Sequence, residues 1–208
     1  DFTDVNNDAT RVEVNTISAE MAKVRDYVPD YAVMAHRGST FWAPEETESA
    51  WRWAREMGAD YLESDLQCTK DGVILANHDD NLKRTTNIEN VYSELVPATR
   101  KAFYMRHGMS EEEAEKLVAA DKASFRPYYA MSYMYEELLA LDAGSWFNET
   151  SIEQARKSFA EKHQYVSALE DQIRYAEGKM LKRGSDGERI YTVTGTWDPD
   201  KPRDCLTY

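Results

Sequence analysis

YAVMAHRGSTFWAPEETESAWRWAREMGADYLESDLQCTKDGVILANHD, residues 31–79, sets short apolar runs between clusters of ionisable side chains. Tyr31 to Ala35 reads as a buried strand, with His36-Arg37-Gly38 at its end. Pro44 fits the first turn of a helix in which Ala50, Trp53, Ala54 and Met57 recur at helical spacing. Trp51 adds bulk at the flank, and Gly58 is placed as the stop. A second strand, Ala59 to Leu66, completes a strand–helix–strand unit and so a parallel pair.

Only Thr69-Lys70-Asp71-Gly72 separates this strand from a third, Val73 to His78. A parallel crossover needs about a dozen residues, so the connection can only be a β-hairpin between strands 2 and 3. Folded about the Lys70–Asp71 bond, the hairpin places Glu63 opposite His78 and Asp65 opposite Ala76. Side chains alternate along a strand, so Glu63 and Asp65 share a face.

Around this stretch the chain is acidic, with a net charge of -13 over 208 residues and 42% apolar residues. That suits one globular domain and excludes general binding to nucleic acid or anionic membranes, which would repel it. No apolar run has the length of a transmembrane segment. Cys68 and Cys205 are far apart and lack metal-site spacing. The chain opens on Asp1 rather than Met, and trimming favours a periplasmic or secreted protein over a cytoplasmic one.

Ser18 to Tyr27 has the pattern of a short helix closing the bottom of the fold. From about 88 to 131 the sequence turns helical and polar, which reads as an insertion serving as a flap or homodimer contact. Within it Ser110 and Glu113 have capping-box spacing, with Ala114, Leu117 and Val118 along one side. Further helices are expected over Ser132–Leu141 and from near Ser167 to about Leu181, then a strand over Arg189–Thr194.

Taken singly, a histidine at a strand end or a Glu-x-Asp is ordinary. Together they place several ionisable groups at neighbouring strand ends, where burying them unpaired is costly. Glu63 and Asp65 are hard oxygen ligands suited to Mg²⁺ or Ca²⁺. Arg37 is a phosphate clamp, and His36 and His78 suit acid and base work near neutral pH. Such a set describes phosphodiester cleavage better than acyl transfer.

The same residues resemble the glycerophosphodiester phosphodiesterases. The likeness runs through His36-Arg37-Gly38, Pro44-Glu45, Glu63-x-Asp65, Thr69-Lys70-Asp71-Gly72, His78-Asp79 and Arg84-Thr85-Thr86. It continues in Leu141-Asp142-Ala143-Gly144-Ser145-Trp146-Phe147 and Leu169-Glu170. It implies an α/β fold, a TIM-type barrel with its site at the C-terminal strand ends. It also implies metal-dependent hydrolysis of a small-molecule glycerophosphodiester to glycerol 3-phosphate and an alcohol. His36 and His78 would be the acid–base pair, Arg37 the phosphate ligand, and Glu63 and Asp65 the ligands of Mg²⁺ or Ca²⁺. In the mechanism proposed for that family a glycerol hydroxyl attacks first, and water then opens the cyclic phosphate.

Two departures stand out. Pro44-Glu45-Glu46-Thr47 replaces the usual Pro-Glu-Asn-Thr, which makes Glu45 and Glu46 further candidates for the site. The family's third carboxylate and nearby lysine, in a Glu-Ile-Lys-like motif, have no counterpart. A closed barrel takes about 200–250 residues, so the 208 residues are expected to be its N-terminal portion, inactive alone. The rival readings are a non-catalytic module that binds glycerophosphoryl groups and a lipid phosphodiesterase acting on intact phospholipids.

Overall fold

The strand ends that carry the site are positioned by a parallel pair. In the computed structural model, which describes residues 31–147, 163–183, 189–193 and 206–207, β1 (Met34–Ala35) runs parallel to β2 (Tyr61–Leu62). β2 in turn pairs in parallel with β7 (Leu206–Thr207). Chain contacts divide the molecule into Asp1–Ala32 and Val33–Tyr208, and every element below belongs to the second unit. The helix expected over Ser18–Tyr27 lies outside the described residues.

Between β1 and β2 runs α1 (Glu48–Glu56). Pro44 does not open it. Thr47 is the N-cap, and its hydroxyl donates to the Pro44 carbonyl at 2.6 Å while accepting from Ala50 N. The buried stripe is Ala50, Trp51 and Ala54, with Met57 half-exposed, so Trp51 rather than Met57 faces the core. The helix ends as expected at Gly58, whose φ of +87° lets its N–H reach Arg55 O and the next reach Ala54 O. β1 is shorter than the expected strand, and Val33 and Met34 are exposed rather than buried.

The hairpin pairs β3 (Leu66–Cys68) with β4 (Ile74–Ala76), antiparallel, Leu66 against Ala76 and Gln67 against Leu75. This register is one residue away from the sequence expectation. The loop has three residues rather than a symmetric two: Gly72 N–H closes a turn on Thr69 O, and Gly72 itself is left-handed at φ +84°. Asp65 consequently lies across from Asn77, whose N–H donates to its carbonyl at 2.9 Å, and Glu63 is not the cross-strand partner of His78.

Beyond the hairpin come α2 (Ile88–Val91), α3 (Arg100–Arg106) and α4 (Glu111–Ser124). The Ser110–Glu113 capping box is present, but only Ala114 and Asp121 of α4 are buried, and Leu117 is exposed. Ser132–Leu141 is not one helix; a 3₁₀ turn at Ala130–Ser132 precedes α5 (Tyr135–Leu138). α6 (Leu169–Ala176) stops at left-handed Gly178, so Leu181 falls instead in β5 (Lys179–Arg183). The expected last strand is β6 (Arg189–Val193), antiparallel to β5.

One core cluster joins Trp51 and Ala54 of α1, Leu62 of β2, Ala76 of β4, and Tyr175 and Ala176 of α6. Helices therefore cover the strands, and Ala76 N–H bonds Ser167 O to tie α6 to the hairpin. A second cluster holds Leu75, Leu82, Ile88, Tyr133, Leu138 and Leu141. No helix among the described residues is long and apolar enough to cross a membrane.

Candidate active site

The backbone bond from Glu63 N to Ala35 O, 3.1 Å, continues the β1–β2 pairing to the point where His36 and Arg37 leave β1. There the chain turns sharply. Arg37 takes φ +55°, Gly38 takes φ +86°, and the Arg37 N–H donates to Glu63 Oε2 at 2.8 Å. A Cβ on Gly38 would stand 2.6 Å from Ala50 Cβ, so only glycine lets this loop lie on α1.

One ligand atom from each of His36, Glu63 and Asp65 lies within 4.8 Å of the others; the imidazole in the group is that of His36, not of His78, which the hairpin was expected to bring to these carboxylates. Asp65 Oδ2 is buried and takes no hydrogen bond from a described donor. Arg37 Nε is 2.9 Å from it, in ion-pair contact but without the alignment of a hydrogen bond. An acceptor left this way, beside a second carboxylate and an imidazole, is what a hard cation would satisfy.

His78 stands outside that group of three and is joined to it through charges. Its Nδ1 lies 2.5 Å from Asp79 Oδ1, and Asp79 Oδ2 accepts from Arg84 Nε at 2.8 Å. Arg84 Nη2 reaches Glu45 Oε1 at 2.6 Å, and the same oxygen is 3.4 Å from Arg37 Nη1. The path His78–Asp79–Arg84–Glu45–Arg37–Asp65 thus runs from His78 to a carboxylate of the group that contains His36. Arg84, and secondarily His78, hold the Asp79 carboxyl down at about 2, against desolvation. An ionised Asp79 accepts, and this contact engages Nδ1 of His78 and leaves Nε2 as the ring nitrogen not committed to Asp79.

Glu46 is the second non-glycine residue of the loop with positive φ, +57°, and it is buried. Its carboxyl accepts from Ser64 Oγ and, at 2.8 Å, from Asp65 N. Burial raises its pKa to about 8, with Glu63 and Asp65 adding repulsion. It does not cap α1; Thr47 does.

Residues 36–190 match the family model described as the glycerophosphoryl diester phosphodiesterase family. The chain belongs to this family. A Bacillus subtilis glycerophosphodiester phosphodiesterase is 31% identical over 126 residues, 61% of this chain and 30% of that protein. A Mus musculus glycerophosphoinositol inositolphosphodiesterase is 28% identical over 165 residues, 76% of this chain and 25% of its own length. The glycerophosphodiester phosphodiesterase of Agrobacterium tumefaciens gives a TM-score of 0.42 at 26% identity, covering 71% of this chain and 43% of that one. The chain therefore spans a third or less of these curated relatives.

Within this glycerophosphodiester phosphodiesterase homologue, sequence reasoning named His36, Arg37, Glu63, Asp65 and His78, with Glu45 and Glu46 as extras. It passed over the roles of Asp79 and Arg84. The His78-Asp79 dipeptide was the signal for the first; Arg84 stood in the Arg84-Thr85-Thr86 match, but its bond to Glu45, thirty-nine residues away, left none in local spacing.

Proposed function

We propose that this chain carries the active-site end of a metal-dependent glycerophosphodiester phosphodiesterase. In this reading it is the N-terminal part of a TIM-type barrel, with an insertion at about 88–131. The observation that supports it best is the His36–Glu63–Asp65 group beside Arg37, linked by the Asp79–Arg84–Glu45 path to His78. Four carboxylates there (Glu45, Glu63, Asp65, Asp79) face two guanidinium groups (Arg37, Arg84), a deficit that one divalent cation cancels. Glu63 and Asp65 would hold Mg²⁺ or Ca²⁺, which supplies Lewis-acid polarisation of a phosphoryl oxygen. Such cations prefer oxygen, which leaves the His36 imidazole for proton transfer.

In this assignment one imidazole removes the proton from the attacking hydroxyl and the other gives a proton to the departing alcohol oxygen. The pair exchanges roles when water opens the cyclic phosphate. Arg37 meets the phosphate charge. His78 works through Nε2, steadied at Nδ1 by Asp79.

The test is hydrolysis of glycerophosphocholine by the complete protein. His36→Ala and His78→Ala each lower turnover by about 10²–10⁴-fold while the circular dichroism is unchanged. EDTA abolishes turnover and Mg²⁺ or Ca²⁺ restores it. Turnover retained in either variant, or indifferent to chelation, refutes the assignment. One observation favours a binding module instead: the metal group contains no third carboxylate among the described residues. Calorimetric binding of glycerophosphocholine without product would establish that.

A further inference from the structure

We infer that Glu46 is a positioning residue, a buried strut whose carboxyl fixes the strand end carrying Glu63 and Asp65. The inference builds on the cation centre proposed above and adds a residue that has no part in its ligand group. Glu46 is 5% exposed. One carboxyl oxygen accepts from Ser64 Oγ and the other from Asp65 N at 2.8 Å. Its own N–H donates to Arg37 O at 3.1 Å. A single residue therefore fastens the loop that follows β1 to the strand end that follows β2.

Those two segments carry all three members of the metal group. Ser64 lies between Glu63 and Asp65, so pinning Ser64 and the Asp65 amide sets the directions in which both carboxylates leave the chain. Both Glu46 oxygens face protein donors, and Glu46 is absent from the group of close ligand atoms. It holds ligands rather than being one. Two local features are unfavourable: a left-handed φ of +57° in a residue with a long side chain, and a carboxyl removed from water. Both persist where surrounding bonds over-determine the conformation, as the three hydrogen bonds here do. Glycine would accept the φ but offers no oxygen. Asparagine tolerates it but has a side chain one methylene shorter to span the same gap.

Groups that orient ligands from behind typically change metal affinity about 10–100-fold when removed. The experiment is calorimetric titration of the chain with Ca²⁺, together with hydrogen exchange at the Asp65 amide in EDTA. Glu46→Ala lowers Ca²⁺ affinity by about 10–100-fold and strips protection from the Asp65 amide. Glu46→Gln, whose amide still offers an acceptor to Asp65 N and a donor to Ser64, restores protection and most of the affinity. Wild-type affinity and an intact Asp65 amide in Glu46→Ala overturn the strut. So does a Glu46→Gln variant as weak as Glu46→Ala, because the hydrogen bonds that the amide keeps would then not be what sets the affinity. Should Glu46→Ala fail to fold, Ser64→Ala decides: weakened Ca²⁺ binding supports the strut and unchanged binding overturns it. A wild-type chain that takes up no Ca²⁺ sinks the cation centre itself, and the Asp65 exchange in Glu46→Ala then settles the strut alone.

Discussion

Replacing Arg100 with alanine should be among the most damaging single changes in the described chain. Arg100 is 0% exposed and lies on α3. Its Nε and Nη2 grip both oxygens of Glu137 at 2.9 and 2.7 Å, Nη1 reaches Asp121 Oδ2 at 2.5 Å, and Nη2 also donates to Ser132 O. Glu137 and Asp121 are themselves buried, and Asp121 further meets Lys70 Nζ at 2.9 Å and the Tyr104 hydroxyl at 2.8 Å. Two carboxylates are thus balanced by two cations, only one of which is fully buried. Removing that one strands Glu137, a loss of about 3–5 kcal/mol for a broken buried pair. Against a total stability of about 5–15 kcal/mol, this is a fifth of the whole or more. Urea unfolding followed by circular dichroism should show it as a midpoint lowered by about 1–5 M, for a slope of about 1–3 kcal/mol/M. The decisive control is Arg100→Met combined with Glu137→Leu, which removes both charges and should cost less than Arg100→Met alone. A loss under about 1 kcal/mol in Arg100→Ala, or a double variant worse than the single, refutes the reasoning.

Two other outcomes are expected. Gly38→Ala and Gly58→Ala both force a left-handed alanine, at φ +86° and +87°, but only the first drives a Cβ to 2.6 Å from Ala50. Gly58→Ala should therefore cost about 1 kcal/mol and Gly38→Ala at least twice that, measured by urea unfolding; equal losses would show that the close approach does not matter. Asp79, held near 2 against an ordinary value of 3.8, contributes stability that is present above about pH 4 and is lost as pH falls toward 2. The stability gap between wild type and Asp79→Asn should be flat above pH 4 and close between pH 4 and 2; a gap that widens there contradicts the pairing.

What could be read from residues alone was whatever depends on neighbours in sequence. Gly58 stopped its helix and Ser110–Glu113 formed their box because both devices act within one turn. Glu63 and Asp65 share a site because alternation in an extended chain puts them on one side. The hairpin register failed by one residue because two- and three-residue loops differ only in where the left-handed glycine falls, and Gly72 supports the longer one. Arg100 carried no signal, and neither did the Arg84–Glu45 bond, since these partners lie 21 to 39 residues apart and any exposed helix or loop could hold such an arginine. α1 forms between the two strands as expected and buries Ala50 and Ala54 of its expected stripe, but Met57 is half-exposed and Trp51, beneath Tyr175, is buried in its place.

The charges around the site also constrain how it can be filled. Arg37 and Arg84 are each shared between two carboxylates, Arg37 between Glu45 and Asp65, Arg84 between Glu45 and Asp79. Neither guanidinium can turn fully to a phosphodiester while those acids remain uncompensated. A cation at Glu63 and Asp65 would draw Asp65 away from Arg37 Nε and leave that guanidinium to an incoming anion. Cation binding and phosphate binding would then be coupled through one side chain, each strengthening the other. The misaligned 2.9 Å contact between Arg37 and Asp65 fits such an exchange: the two are near enough to attract but are not locked in a hydrogen bond that would have to be broken.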